Sequence, residues 1–301
     1  MYSIVMRLGL VQLFEAIIGK TEDALASDVL TLSIDADSNA RNSSQGELFD
    51  GFNNANEYFS NISETDIAIA MGMHSETGID ISLLQPEILC LYELSVDAFG
   101  AIVYAWMSEL PVTGQIIRFG KKVLAAQNTA TGNNGSNHRE KIETMRRKAA
   151  KNTATDRGDS DVQTVREAAY KVWHETNRLT GLLRFCPDEK GVYTAQCEPD
   201  HFILPALGPH FMERFGETPW AIIDNKRRLS LGCETGQGVS GGTLVLSTNA
   251  ENTFPFEKGQ GGEWENLWKH YHKTINNESR NNPDLQKRFM PTRYWKYLSE
   301  L

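Results

Sequence analysis

Nowhere in its 301 residues does the sequence hold an apolar run close to the roughly 20 residues that span a bilayer, which argues against a membrane role. The apolar start MYSIVMRLGLVQLFEAIIGK is interrupted by Arg7, Gln12 and Glu15. It also lacks a basic segment leading to a small-residue cleavage site, so it does not read as a secretory signal. Cysteine is sparse. Cys90, Cys186, Cys197 and Cys233 stand far apart, form no CxxC, and read as free thiols in a reducing cytoplasm. The CxxxCxxC triad of a cluster-bearing radical enzyme is missing, so this chain is not expected to be a radical S-adenosylmethionine enzyme itself. Also missing are the phosphate-binding GxxxxGK(S/T), the GxSxG elbow and the HExxH zinc motif. The glycine-rich GQGVSGG at 236–242 lacks a strand before it and a helix after it, and reads as a surface loop. His174, His201, His210, His270 and His272 show no recognised ligand spacing, so no metal and no cofactor are expected.

What the chain does have is an uneven charge distribution beneath its net −9. Residues 1–137 carry 6 Lys/Arg against 17 Asp/Glu, a balance of −11. Residues 138–301 carry 24 against 22, a balance of +2. Such asymmetry either points to a polyanion partner for the less acidic half or reflects a solvated acidic half beside an ordinary one.

Composition divides the chain into three parts. Residues 1–126 form an acidic, mainly helical region, in which 33–64 (rich in Asn, Ser, Asp and Gly) cannot bury enough surface to order itself. Residues 2–18 read as a strand running into an amphipathic helix. The run from Pro86 to Pro111 reads as one or two buried helices, with Leu91, Val96, Phe99, Val103, Trp106 and Met107 as their apolar content. Residues 127–160 read as a flexible linker around a basic, helix-compatible block, HREKIETMRRKAAK. Order resumes at Asp161, where Val162, Val165, Ala169, Val172, Thr176 and Leu179 step by three and four along one helical face. Gly181 is expected as its left-handed cap. Then follow a hairpin (LLRFCPDEKGVYTAQCEP), a short helix closed by Gly216, a second hairpin turning at Asp224–Asn225, one more strand (GGTLVLST), and a helix with Trp264, Leu267, Trp268, Tyr271 and Ile275 on one side. Residues 161–301 should therefore fold as an α+β domain with packed helices and an antiparallel sheet built from two hairpins.

The chemistry on offer in that domain is guanidinium, imidazole and aromatic. Arg178 and Arg184 lie on or just past the long helix, Arg214 closes the short one, and Lys226, Arg227 and Arg228 crowd a turn. Arg280 and Asn282, then Arg293, Tyr294 and Trp295, sit in the tail. Guanidinium forks suit phosphate oxygens and aromatic rings suit bases, so these positions are candidates for nucleic-acid contact. The same residue types also serve as structural ion pairs and cation–π contacts. A second reading is an acid/base enzyme built on His174, His210 and Asp224, and a third is a protein-interaction scaffold.

Three phrases carry a resemblance: HETNRLTGLLRF, VYTAQCEPDHFILPALGPHFMERFGETPWAIIDNKRR and NNPDLQKRFMPTRYWKYL. From Val165 to the C-terminus the chain resembles a bacterial DNA-metabolism family, a domain of unknown function, encoded beside a DNA-repair radical S-adenosylmethionine protein. In some bacteria the same domain is fused ahead of a uracil-DNA glycosylase. The family's motif positions fall here on His174, Arg178, Gly181, Arg184, Phe185, Pro199, His210, Phe211, Arg214, Trp220, Asp224 and Arg228, and in the tail on Arg280, Asn282, Pro291, Arg293, Tyr294 and Trp295. The sequence departs from the family in lacking a Tyr-Asp-Gly-like turn near its start and in carrying the 127–160 insertion. The resemblance implies a DNA-repair accessory that binds single-stranded or damaged DNA and works with a separate radical enzyme. The chain shows no glycosylase motif, so base excision is not expected of it alone.

Overall fold

The computed structural model describes residues 9–19, 62–75, 79–130, 139–187, 191–234, 243–247, 262–277, 279 and 282–298. The segment 33–64, expected to be disordered, and the expected first strand lie almost wholly outside these residues. By its internal contacts the chain divides into two compact units, Met1–Met73 with Ile79–Lys171, and His74–Gly78 with Val172–Leu301.

Unit 1 is helical: α1 (Leu10–Ile18), α2 (Glu64–His74, less its last residue), α3 (Pro86–Leu94), α4 (Val96–Met107), α5 (Thr113–Ala126), α6 (Arg139–Ala154) and the start of α7 (Ser160–Leu182). Leu10, Phe14, Phe99, Ile102, Phe119 and Val123 are buried, with Phe14 stacked on Phe99 at 4.6 Å. Helices α1 and α5 approach so closely that a Cβ on Gly120 would stand 2.6 Å from an Ile17 methyl. Asp66 is buried and links α1 to α2: its carboxylate accepts hydrogen bonds from the amides of Val11 and Ser63, both at 2.7 Å. Of the residues expected to fill α3 and α4, Leu91, Phe99, Val103, Trp106 and Met107 are buried, whereas Val96 is 51% exposed. Helical side chains lean toward the N-terminus, so the first residue of α4 leans past the helix end rather than onto a neighbour. No single described helix is long and apolar enough to cross a membrane; α3 and α4 reach that composition only as a pair, bent by 113°.

The basic block within 127–160 is the helix α6, whose Ala150 and Ala154 are buried. Asp159 then caps α7, its carboxylate accepting from the amides of Asp161 (2.8 Å) and Val162 (3.2 Å). Arg118 and Lys122, one turn apart on α5, hydrogen-bond Asp161 at 2.7 and 2.8 Å. First Arg118 and then Lys122 hold the Asp161 carboxyl down to about 2. A carboxyl depressed by folding contributes stability that is present above the ordinary range near pH 4 and is lost as pH falls through its folded value. Asp161→Asn should therefore flatten the acid limb of a stability–pH profile between about pH 4 and about pH 2. An acid limb as steep as the wild type's would assign that limb to other carboxylates.

Unit 2 contains the rest of α7, a five-stranded sheet, α8 (Leu204–Phe215), α9 (Gly262–Ile275), α10 (Pro283–Phe289) and a 3₁₀ segment, Thr292–Tyr297. The strands are β1 (Cys186–Pro187), β2 (Tyr193–Cys197), β3 (Trp220–Asp224), β4 (Leu229–Glu234) and β5 (Thr243–Ser247), in the order β1-β2-β3-β4-β5. The α+β class holds, and both hairpins form. The sheet, however, is mixed: β1·β2, β3·β4 and β4·β5 are antiparallel, while β2·β3 is parallel, with Tyr193 opposite Trp220 and Cys197 opposite Asp224. The reason is α8, a 12-residue helix joining β2 to β3. It makes a crossover that returns the chain to the starting edge, so two neighbouring hairpins become one βαβ unit with an antiparallel arm on each side. Gly216, at φ 56° and ψ −118°, ends α8 in a conformation that a Cβ disfavours. Gly181, expected to be a left-handed cap, lies inside the last turn of α7 at ordinary φ. Capping passes to Arg184, which donates to the Gly181 carbonyl at 2.9 Å. The apolar side chains Leu267, Trp268, Tyr271 and Ile275 of α9 are exposed.

Candidate functional site at the carboxyl ends of the parallel strands

Parallel strands leave their carboxyl ends side by side, and in α/β units that edge is where loops gather to form sites. Here β2 runs into the loop 198–203 and β3 into the turn Asn225–Arg228. Asp224 ends β3 with its side chain 0% exposed. One carboxylate oxygen accepts from the amides of Lys226 (3.0 Å) and Arg227 (3.1 Å), which shapes the turn, and the other accepts from the Arg227 guanidinium at 2.7 Å. Arg227, itself buried, also donates to the carbonyls of Pro199 (3.1 Å) and Asp200 (2.8 Å), and Lys226 donates to the latter at 3.0 Å. Burial pushes the Asp224 carboxyl up, and Arg227 with the two amides opposes that push. The turn after β3 is thus bonded to the loop after β2.

A second carboxylate anchors the same loop from the other side. Glu175 of α7 is buried and accepts from the amides of Asp200 (2.8 Å) and His201 (2.9 Å). It also accepts the Tyr294 hydroxyl at 2.6 Å. Arg293 donates to that hydroxyl at 2.8 Å and pairs with Asp200 at 2.6 Å. Burial, and then the Glu175 carboxylate, push the Tyr294 phenol well up, so it stays a protonated donor. Tyr297 is buried beside it and accepts from Asn225 at 3.2 Å, while Asn225 also reaches Gln196 at 3.0 Å. The tail is therefore docked through Tyr294, Tyr297 and Leu298, all buried, whereas Trp295 is half-buried with its indole N–H on the Met290 carbonyl at 2.7 Å.

Of the residues singled out by sequence, the structure brings Asp224, Arg227, Arg293 and Tyr294 together at this edge, with Arg228 in the same turn, exposed and at φ 53°. His174 flanks Glu175 and Arg178 follows it by three residues on α7; both are half-buried. Arg214 and His210 are exposed on α8, where His210 meets the Phe211 ring edge-on at 4.9 Å. Asn282 caps α10, accepting from the Leu285 amide at 3.0 Å, and Arg280 lies outside the described residues. Two residues had no place in the sequence-based set. Glu175 had a signal: it is an acid beside the buried stripe of Val172, Thr176 and Leu179, where a charge requires partners. His74 had none; burial, and then the positive field of His210, lower its pKa. Among the described residues no group of three or more His, Cys, Asp or Glu is arranged to hold a metal ion.

Chemically, this edge is a clamp. Both buried carboxylates are saturated with donors, and Asp224 offers no surface to a substrate in this arrangement. Arg227 is committed to its own chain. At this edge the exposed cation is Arg228; elsewhere in unit 2, half-buried Arg178 on α7 and exposed Arg214, in the last turn of α8 toward the amino ends of the parallel strands, likewise have no hydrogen bond or ion pair among the described residues.

No curated protein and no solved structure gives a significant match to the chain. The family model of a domain of unknown function, DUF4130, matches residues 138–300, which is more than half of the sequence and takes in α6, α7, the sheet and the docked tail. The chain belongs to the DUF4130 family.

Proposed function

We propose that this protein is a cytoplasmic accessory of DNA metabolism or repair that binds single-stranded or damaged DNA and works with a partner radical S-adenosylmethionine enzyme. The observation that carries the DNA contact is the set of guanidinium groups at Arg178, Arg214 and Arg228 with no hydrogen bond or ion pair among the described residues, in the same unit as a clamp that keeps Arg227 and Arg293 occupied. Guanidinium groups without an acidic partner suit phosphate oxygens, and each phosphate they meet releases counterions, so such binding weakens steeply with salt. The Tyr294 ring is buried, which leaves Trp295 as the tail's stacking surface. The radical-enzyme partner and the link to uracil excision rest on the resemblance of the α7, β2–β3 and tail phrases.

Affinity capture of the full chain from its native cells, with and without nuclease, tests the partnership. The expected result is a radical S-adenosylmethionine enzyme in both eluates and DNA in the untreated one. Recovery of neither would overturn the reading.

A further inference from the structure

Helix α6 carries a feature that the clamp in unit 2 does not use. Its inner side seats Ala150 and Ala154 in unit 1, and its outer side exposes Lys141, Thr144, Lys148 and Lys151, spaced by three, four and three residues. At 3.6 residues per turn this spacing aligns them in one stripe. No acid stands three or four residues from any of the three lysines, so none has the helical ion pair that usually occupies a surface lysine. The two acids nearest the stripe are otherwise engaged or isolated: Glu143 pairs with Arg147 at 3.1 Å, and Glu140 is the one acid on the exposed face. The setting makes the stripe more conspicuous, because residues 1–137 of the chain carry a balance of −11.

We infer that the lysine stripe of α6 is a second phosphate-backbone contact for nucleic acid, separate from the arginines of unit 2. This rests on the DNA-binding reading above and extends it to a different helix. From Lys141 to Lys151 the helix rises roughly 15 Å. That length suffices for three lysines to meet successive phosphates along one nucleic-acid strand. The stripe's one large apolar neighbour on that face is Met145, too little to seat an amphipathic helix in a bilayer. Nor does it supply the aromatic anchors on which a protein interface centres. Cations in line suit a polyphosphate backbone, while the Thr144 hydroxyl between them donates to the Glu140 carbonyl at 2.9 Å.

The test measures binding of a short single-stranded oligonucleotide to the full chain by fluorescence anisotropy across a salt series. The variants are Lys141→Ala with Lys148→Ala and Lys151→Ala, the same three positions changed to Arg, and Arg178→Ala with Arg214→Ala and Arg228→Ala. Three lost single-strand contacts should flatten the log–log salt slope by about two units in the alanine variant of α6. The arginine version should restore the slope, which a purely structural effect would not. An unchanged slope in the alanine variant, with the unit 2 variant weakened, overturns the stripe and leaves the DNA reading standing. Failure of the arginine version to restore binding overturns it as well. If the wild-type chain binds no DNA, both readings fall. Lysine-dependent sedimentation with vesicles of equal parts phosphatidylcholine and phosphatidylserine, without DNA binding, would assign the stripe to a membrane surface instead.

Discussion

Arg227→Ala should lower the stability of the protein by about 3–5 kcal/mol, while Arg228→Ala, its neighbour in sequence, should change it by no more than about 0.5 kcal/mol. The two arginines differ in their surroundings, not in their chemistry. Arg227 is buried against an Asp224 carboxylate that has no exposed surface, and it bonds two carbonyls of the adjacent loop. Removing it leaves Asp224 with two amides and no counter-charge, and strands the Pro199 carbonyl. Burial already pushes the Asp224 carboxyl up, and without Arg227 nothing but the amides restrains it. A carboxyl raised by folding favours the folded state most when protonated, so the deficit of Arg227→Ala should shrink in acid and grow as pH rises. Arg228 is exposed and unpaired among the described residues, so its loss should appear in DNA affinity and not in stability. Chemical denaturation followed by circular dichroism measures both, and a cost below about 1 kcal/mol for Arg227→Ala would show that the ion pair is not a structural clamp.

Glu175→Ala should cost a comparable amount, about 3–5 kcal/mol, because it orphans three donors at once: the amides of Asp200 and His201 and the buried Tyr294 hydroxyl. Tyr294→Phe should cost about 1.5–3 kcal/mol, the range for a hydrogen bond to a charged acceptor. Because both changes remove the same bond, the double variant should cost less than the sum of the singles. The tail supplies an independent readout. Loss of Glu175 frees the segment Thr292–Tyr297, so limited proteolysis should cut there faster in Glu175→Ala than in the wild type. A tail equally resistant in both would mean that Tyr297 and Leu298 hold it unaided.

The parts of this architecture legible in the sequence were those governed by local pattern. The face of α7 from Val162 to Leu179 is buried at each position its spacing marks, both hairpins form, and the second turns next to Asp224–Asn225 as its residues suggest. The parallel pairing of β2 with β3 was harder to see, because two hairpins and an intervening helix permit either arrangement. The clue was the near-continuous burial-prone run WAIID, which suits a central strand better than an alternating edge strand. The site shows the same division. Sequence located Asp224, Arg227, Arg293 and Tyr294 but not their partners, since Glu175 lies 119 residues from Tyr294 and no local pattern links them. Nor could it separate Arg227 from Arg228, because a one-residue step between a buried pair and open solvent is decided by the turn. In the tail, sequence could not tell Tyr294 from Trp295: Tyr294 is the buried ring, its hydroxyl on the Glu175 carboxylate, while Trp295 is half-buried.

The central claim is that the outward arginines of unit 2 hold nucleic-acid phosphates. Its most direct test is the salt dependence of single-stranded DNA binding by the full chain, compared with Arg178→Ala, Arg214→Ala and Arg228→Ala combined. The account predicts salt-sensitive binding by the wild type, a log–log slope flatter by about two units in the triple variant, and unchanged melting, since none of the three has a hydrogen bond or ion pair to lose among the described residues. Wild-type protein that does not bind DNA, or a triple variant whose slope matches the wild type's, would contradict it.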